Sequence, residues 1–111
     1  MDLRVVTRQE GDFAVVSAAG EVDVFTAPTL DAELAAQLAK GHARLVVDLS
    51  QVSFLDSTGL GVLVKALKGA REAGGVLHLV VTSDRIRKIF DITGLDASIP
   101  LFDTAEAAAT A

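Results

Sequence analysis

The stretch that most constrains the fold of this 111-residue chain is Leu45 to Lys68, LVVDLSQVSFLDSTGLGVLVKALK. An apolar run, Leu45-Val46-Val47, passes through Asp48 and Ser50 into a second short apolar piece, Val52 to Leu55. A polar corner follows, Asp56-Ser57-Thr58-Gly59. Beyond it, Leu60, Leu63, Val64 and Leu67 recur at the i, i+3, i+4, i+7 spacing of one helix face, with Lys65, Lys68 and Arg71 off that face. A buried strand therefore delivers the chain to a pair of hydroxyls at the mouth of a helix. Ser57 is the expected N-cap, because its oxygen can accept an otherwise orphaned backbone N–H. The unpaired amides and positive dipole end of such a mouth also suit an anion.

Capping alone asks for one oxygen, yet Asp56 and Thr58 flank Ser57. Gly59 and Gly61 stand in the first turns, where glycine costs up to about 1 kcal/mol relative to alanine. The expectation is that both glycines keep the surface low, so that another protein can reach the hydroxyl.

The remaining segments supply strands and helices in alternation. Leu3 to Thr7 and Phe13 to Ala19 read as a hairpin around a turn at Gln9-Glu10-Gly11-Asp12. Gly20-Glu21-Val22-Asp23 is predicted to leave the sheet. Thr26 then caps a helix with Pro28 in its first turn and Leu30, Leu34 and Leu38 spaced by four, stopped by Gly41. Ala43 to Leu49 is the predicted central strand, and the helix after Ser57 ends at Gly74-Gly75. Val76 to Val81 is a strand, Ser83 caps a helix carrying Ile86, Ile89 and Phe90, and Gly94 closes it. Ile99 to Phe102 is a short edge strand. The alanine-rich tail, residues 104–111, reads as a helix that frays.

This alternation predicts an α/β fold with a mixed sheet, one domain over residues 1–111, opened by an antiparallel hairpin and continued by βα units. Right-handed crossovers stepping one way place the helices mainly on one face. The strands agree: Leu45, Val47 and Leu49 share one side and Arg44, Val46 and Asp48 the other, while Leu77, Leu79 and Val81 oppose Val76, His78 and Val80. One face is apolar and the other mixed.

Several function classes are disfavoured. Half the residues are hydrophobic, yet no run approaches the ~20 apolar residues of a membrane span, and no signal peptide opens the chain. Cysteine is absent, which removes disulfides and thiolate metal sites. The formal net charge of −5 disfavours nucleic acid, whose phosphates call for a basic patch. A cytoplasmic protein is expected.

Nucleophilic catalysis by Ser57 would need a positioned base. His42 reads as a loop residue, His78 lies mid-strand on the mixed face, and the G-x-S-x-G elbow is missing. No catalytic residue is assigned. The glycines at 59 and 61 lack the remainder of a phosphate-binding loop, so no cofactor is expected. Gly20, Glu21 and Asp23 offer too few oxygens for a hard cation, and no metal is expected. A tight turn with solvated charge is the simpler reading there. Arg85, Arg87 and Lys88 read as a solvated helix face.

GEVDVFTAPTLDAEL (Gly20 to Leu34) followed by LVVDLSQVSFLDSTGLGVLV (Leu45 to Val64) resembles the STAS domain of bacterial anti-anti-sigma factors, the anti-sigma factor antagonists of the sporulation and general-stress type. The resemblance runs from roughly Leu3 to Leu101. DSTGLGVL at a helix start after a VDLS strand carries it; the family signature often has leucine where this chain has Val22. The resemblance implies the STAS architecture and a binding module rather than an enzyme. It implies phosphorylation of Ser57, with Thr58 as the secondary acceptor, by an anti-sigma factor that is itself a serine kinase, and reversal by a serine phosphatase. It also implies a partner surface at the corner, Asp56, Ser57, Thr58, Gly59 and Gly61, joined by Glu21 and Asp23 from the loop after the second strand. A scaffold or transporter-type STAS module is the alternative.

Overall fold

The computed structural model describes residues 2–111. The elements are β1 (Leu3–Glu10), β2 (Phe13–Val22), α1 (Ala27–Ala39), β3 (Arg44–Leu55), α2 (Ser57–Glu72), β4 (Val76–Val80), α3 (Asp84–Thr93), a 3-10 turn (Leu95–Ala97), β5 (Leu101–Phe102) and α4 (Ala105–Thr110). The five strands lie in chain order, β1-β2-β3-β4-β5. β1 is antiparallel to β2, and the other neighbours are parallel. The expected mixed α/β sheet is what the chain builds.

Because each crossover steps the same way, α1, α2 and α3 share one face of the sheet. Leu30 and Leu34 of α1, Leu63 and Leu67 of α2, and Ile86 and Phe90 of α3 pack there against Leu45, Val47, Leu49, Leu77 and Leu79. Ser83 caps α3 through the Ile86 amide, and Gly94 ends it in the left-handed conformation, as the sequence predicts.

β3 is longer than the expected strand Ala43 to Leu49. The two apolar pieces are one strand with two bulges. Against β2, Ser17 pairs with Asp48 and Ala19 with Gln51, and then Gly20 pairs with Val52 and Glu21 with Phe54. β3 thus carries one extra residue at each shift. Asp48 Oδ1 accepts the Ser50 amide at 2.9 Å, stabilising the first bulge. The core residues of β3 therefore run Leu45, Val47, Leu49, Val52, Leu55, a period of two that stretches to three at each bulge.

β2 is likewise longer. Gly20, Glu21 and Val22 do not leave the sheet; they pair with Val52, Phe54 and Leu55. At Gly20 (φ 125°) a Cβ would run into the Asp2 carbonyl, so glycine is needed there for both backbone conformation and close approach. The sheet is left only at Asp23.

The tail forms α4, docked on the sheet. Thr104 caps α4 through the Ala107 amide, and Ala108 is buried on the second face of the sheet with Phe13, Val15, Val46 and Val80. Beneath the helix, His78 lies between the rings of Phe13 and Phe102, at centroid distances of 5.4 and 5.1 Å. His78 Nδ1 donates to the Ala108 carbonyl at 2.9 Å. A six-residue helix this rich in alanine has little stability of its own, so its order comes from that docking. The rest of this face is open, and Val6, Arg4 and Gln51 are exposed on it.

Candidate functional site

The Asp56–Gly59 corner is held by two neighbouring strands that end at the same level. Val22, the last residue of β2, pairs with Leu55, the last of β3, and the Asp56 amide donates to the Val22 carbonyl at 3.2 Å. The turn after β2 and the start of α2 are thereby fixed side by side.

Ser57 is not the N-cap. Asp56 holds that position in extended conformation, and its Oδ1 accepts the amides of Thr58 (2.9 Å) and Gly59 (3.2 Å). Aspartate is as good a cap as serine, and its charge also meets the positive end of the helix. Ser57 becomes the first helical residue, exposed, with its hydroxyl in no hydrogen bond among the described residues. The anion-binding amides expected at the mouth are already occupied by a carboxylate. Thr58 is exposed beside Ser57.

The two glycines do different things. Gly61 is exposed, and a Cβ there would meet open space. Gly59 is buried, and a Cβ on it would collide with Leu55 and Val22. It lets α2 close onto the sheet, which corrects its expected role in access. The buried stripe of α2 is Gly59, Leu63, Ala66, Leu67 and Ala70, rotated from the predicted Leu60, Leu63, Val64, Leu67. Val64 consequently lies on the outer face with Ser57, Gly61, Lys65 and Lys68.

The turn beside the corner is internally bonded. Asp23 Oδ1 accepts the amides of Phe25 (2.9 Å) and Thr26 (3.0 Å). Thr26 Oγ1 accepts the Asp23 amide (2.9 Å) and donates to the Glu21 carbonyl (2.6 Å). Thr26 stands at the N-cap position of α1, but its hydroxyl braces the preceding turn instead of capping the helix. Asp23 is buried, not a solvated charge, and the Thr26 amide, then that of Phe25, holds its carboxyl below the usual carboxylate range. Glu21 is half-buried at the edge of the same surface.

Neither histidine serves Ser57. His42 Nδ1 donates to Gln37 Oε1 at 2.7 Å, at the far end of β3, and His78 is under α4. Arg87 is partly a strut, donating to the Val81 carbonyl (2.8 Å) and Asp103 (3.1 Å), while Arg85 and Lys88 are exposed.

The STAS domain family matches residues 4–108. The chain belongs to the STAS-domain family. Within this family it is similar to the anti-sigma-B factor antagonist of Staphylococcus epidermidis, 40% identical over 95 residues that cover 86% of this chain and 88% of the relative. The Staphylococcus aureus protein of the same name is 39% identical over the same shares. The crystal structure of an anti-sigma factor antagonist from Mycobacterium paratuberculosis superposes with a TM-score of 0.90 at 33% identity, covering 98% of this chain and 92% of that one. No helix among the described residues of this STAS domain is long and apolar enough to cross a membrane.

Sequence reasoning passed over Val24 and Phe25, both exposed on the turn next to the STAS corner. Their signal was legible in DVFTAP: two apolar residues between a strand end and a helix cap, fitting neither the period of two nor that of 3.6.

Proposed function

We propose that this STAS domain is an anti-sigma factor antagonist switched by phosphorylation. Unmodified, it docks through the Ser57 corner on an anti-sigma factor that is itself a serine kinase, and so frees the sigma factor. The kinase then moves the γ-phosphoryl group of ATP onto Ser57 Oγ, with ADP leaving and the hydroxyl proton passing to a base of the kinase. A serine phosphatase returns the hydroxyl by hydrolysis. The chain itself performs no catalytic step, and its use of an ATP-dependent partner suits the cytoplasm.

The observation that carries this reading is that the cap is supplied by Asp56, which leaves the Ser57 hydroxyl exposed and unengaged at the first position of α2. A serine kept only for local structure would hold the cap itself. The names of the relatives support the same reading. Thr58 is the secondary acceptor. Glu21, Asp56, Thr58 and Gly61 rim the docking surface, whereas Asp23 and Gly59 act from beneath by holding its shape.

Phosphorylation adds about −1.5 to −2 charges at pH 7. Because Asp56 already occupies the Thr58 and Gly59 amides, the corner has no spare donors there for the new oxygens. A partner packed on the corner would have to desolvate that dianion, and an unpaired buried charge costs several kcal/mol. The test is incubation with ATP and each serine-kinase anti-sigma factor encoded in the same genome, read by intact mass and fragment sequencing. One phosphoryl group on Ser57, absent from Ser57→Ala, is expected; a phosphate found only elsewhere, or none, overturns the reading.

A further inference from the structure

We propose that Phe25, with Val24 beside it, is the apolar anchor by which this chain holds the protein that reaches Ser57, and that this partner supplies an apolar pocket for the ring. The inference rests on the docking role proposed above. Phe25 is 86% exposed and Val24 59%, so folding gains little from either side chain.

The turn that displays them is rigid by construction. The amides of Asp23, Phe25 and Thr26 are satisfied by Thr26 Oγ1 and Asp23 Oδ1, and the Ala27 amide by the Asp23 carbonyl at 2.8 Å. An apolar side chain on an ordered backbone loses little further freedom when it is buried by a partner. Aromatic residues seated in desolvated pockets are the usual energetic centres of protein interfaces.

Location decides which partner this is. Phe25 is three residues past Val22, and Ser57 two past Leu55, the residue paired with Val22. Chain reach, added to the gap between the paired strands, keeps the two within about 23 Å, and the folded turn brings them closer. A standard interface covers about 800 Å² per partner, a disc of roughly 16 Å radius. One interface of that size, about 32 Å across, can therefore hold Ser57 and the adjacent turn together. Of the acidic residues nearby, Asp23 is buried and the Asp56 carboxylate caps α2, which leaves Glu21 on the rim beside the ring.

The test compares Phe25→Ala, Phe25→Tyr and Ile92→Ala with wild type. Ile92 is 73% exposed near the end of α3, which starts past the end of β4 and runs back along the sheet away from the Ser57 end. It is a matched apolar control. Each protein is titrated, without ATP, against each purified serine-kinase anti-sigma factor from the same genome, at low and at high salt. Urea midpoints and sedimentation of the chain alone are measured in parallel. Phe25→Ala is expected to unfold at the wild-type midpoint and to bind at least tenfold more weakly at both salt concentrations. Phe25→Tyr should stay within about threefold, and Ile92→Ala should match wild type. Unchanged affinity of Phe25→Ala for a kinase that does phosphorylate wild-type Ser57 overturns the anchor alone; so does an equal loss in Ile92→Ala. A Phe25→Ala change in self-association assigns the patch to a second copy and overturns it too. Failure of every kinase to bind or phosphorylate the wild type overturns the functional reading and the anchor with it.

Discussion

The backbone of Gly59 lies flush against the side chain of Val22: a Cβ added to Gly59 would stand 2.7 Å from Val22 Cγ1, and closer still to Leu55 Cδ1. Both neighbours are buried and have little room to retreat. Overpacking of this kind costs about 1–3 kcal/mol, against up to about 1 kcal/mol regained in helix propensity for alanine. Gly59→Ala should lower the urea midpoint, and Gly59→Val should lower it further. Gly61→Ala, placed in open space, should raise it by the equivalent of about 0.5–1 kcal/mol. Equal effects at the two glycines would refute this division of roles.

Asp56 and Ser57 should separate stability from modification. Asp56→Ala removes the cap of α2 and should cost roughly 0.5–2 kcal/mol, a fall in Tm of several degrees for a chain of this size. Ser57→Ala leaves the cap in place and should melt within about two degrees of wild type, while accepting no phosphate and still binding the kinase. Thermal denaturation and intact mass read the two outcomes.

Phosphorylation should change binding without changing the fold. The dianion at Ser57 meets the helix dipole, worth about 0.3–1 kcal/mol at an exposed site, and the repulsion of Asp56, of similar water-screened size. Circular dichroism of the two forms should superimpose. Affinity for the kinase should fall at least tenfold, about 1.4 kcal/mol. Loss of helix on phosphorylation would replace charge repulsion with remodelling as the mechanism.

Acid should weaken the contribution of two carboxylates to stability. The Thr26 amide leads in holding Asp23 low, and the Thr7 hydroxyl, followed by the Gln37 amide, does the same for Glu33. A carboxyl lowered in the folded state binds its proton more readily once unfolded. Its stabilisation is thus fully present above the unfolded value, near 4, and is lost as pH falls through the lower folded value. The gap in urea midpoint between wild type and Asp23→Ala, or Glu33→Ala, should be open at pH 7 and narrow steadily below about pH 4. A gap that widened in acid would contradict the assignment.

Truncation after Asp103 should uncover the Phe13, Val15, Val46 and Val80 surface and deprive His78 of the Ala108 carbonyl. Increased binding of a hydrophobic dye and a lower urea midpoint are expected. An unchanged midpoint would show that α4 contributes nothing to the fold.

Much of the architecture was legible because periodicity reports burial directly, as at Leu30 and Leu34 or at Leu77 and Leu79. What escaped was set by long-range contacts. Asp48 and Ser50 looked like a break between apolar pieces because a bulge, which only the partner strand defines, interrupts the period of two. Ser57 looked like the cap because Asp56 and Ser57 are equally good candidates by type; the extended backbone at Asp56 decides between them. Gly59 and Gly61 are indistinguishable in one dimension, and only the position of Val22 separates them. The tail looked too weak to order because its stability belongs to His78 and Ala108, thirty residues apart.

The pairing of Val22 with Leu55 at the strand ends has a consequence for how such proteins diversify. The relative placement of the turn and of α2 is set by main-chain bonding and by the buried side chains of Val22 and Leu55. Positions 24, 25, 61 and 64 can therefore change identity without disturbing where Ser57 stands. Duplicated copies of this chain could acquire separate partners by substitutions confined to those four sites, keeping a common acceptor geometry while ceasing to cross-react.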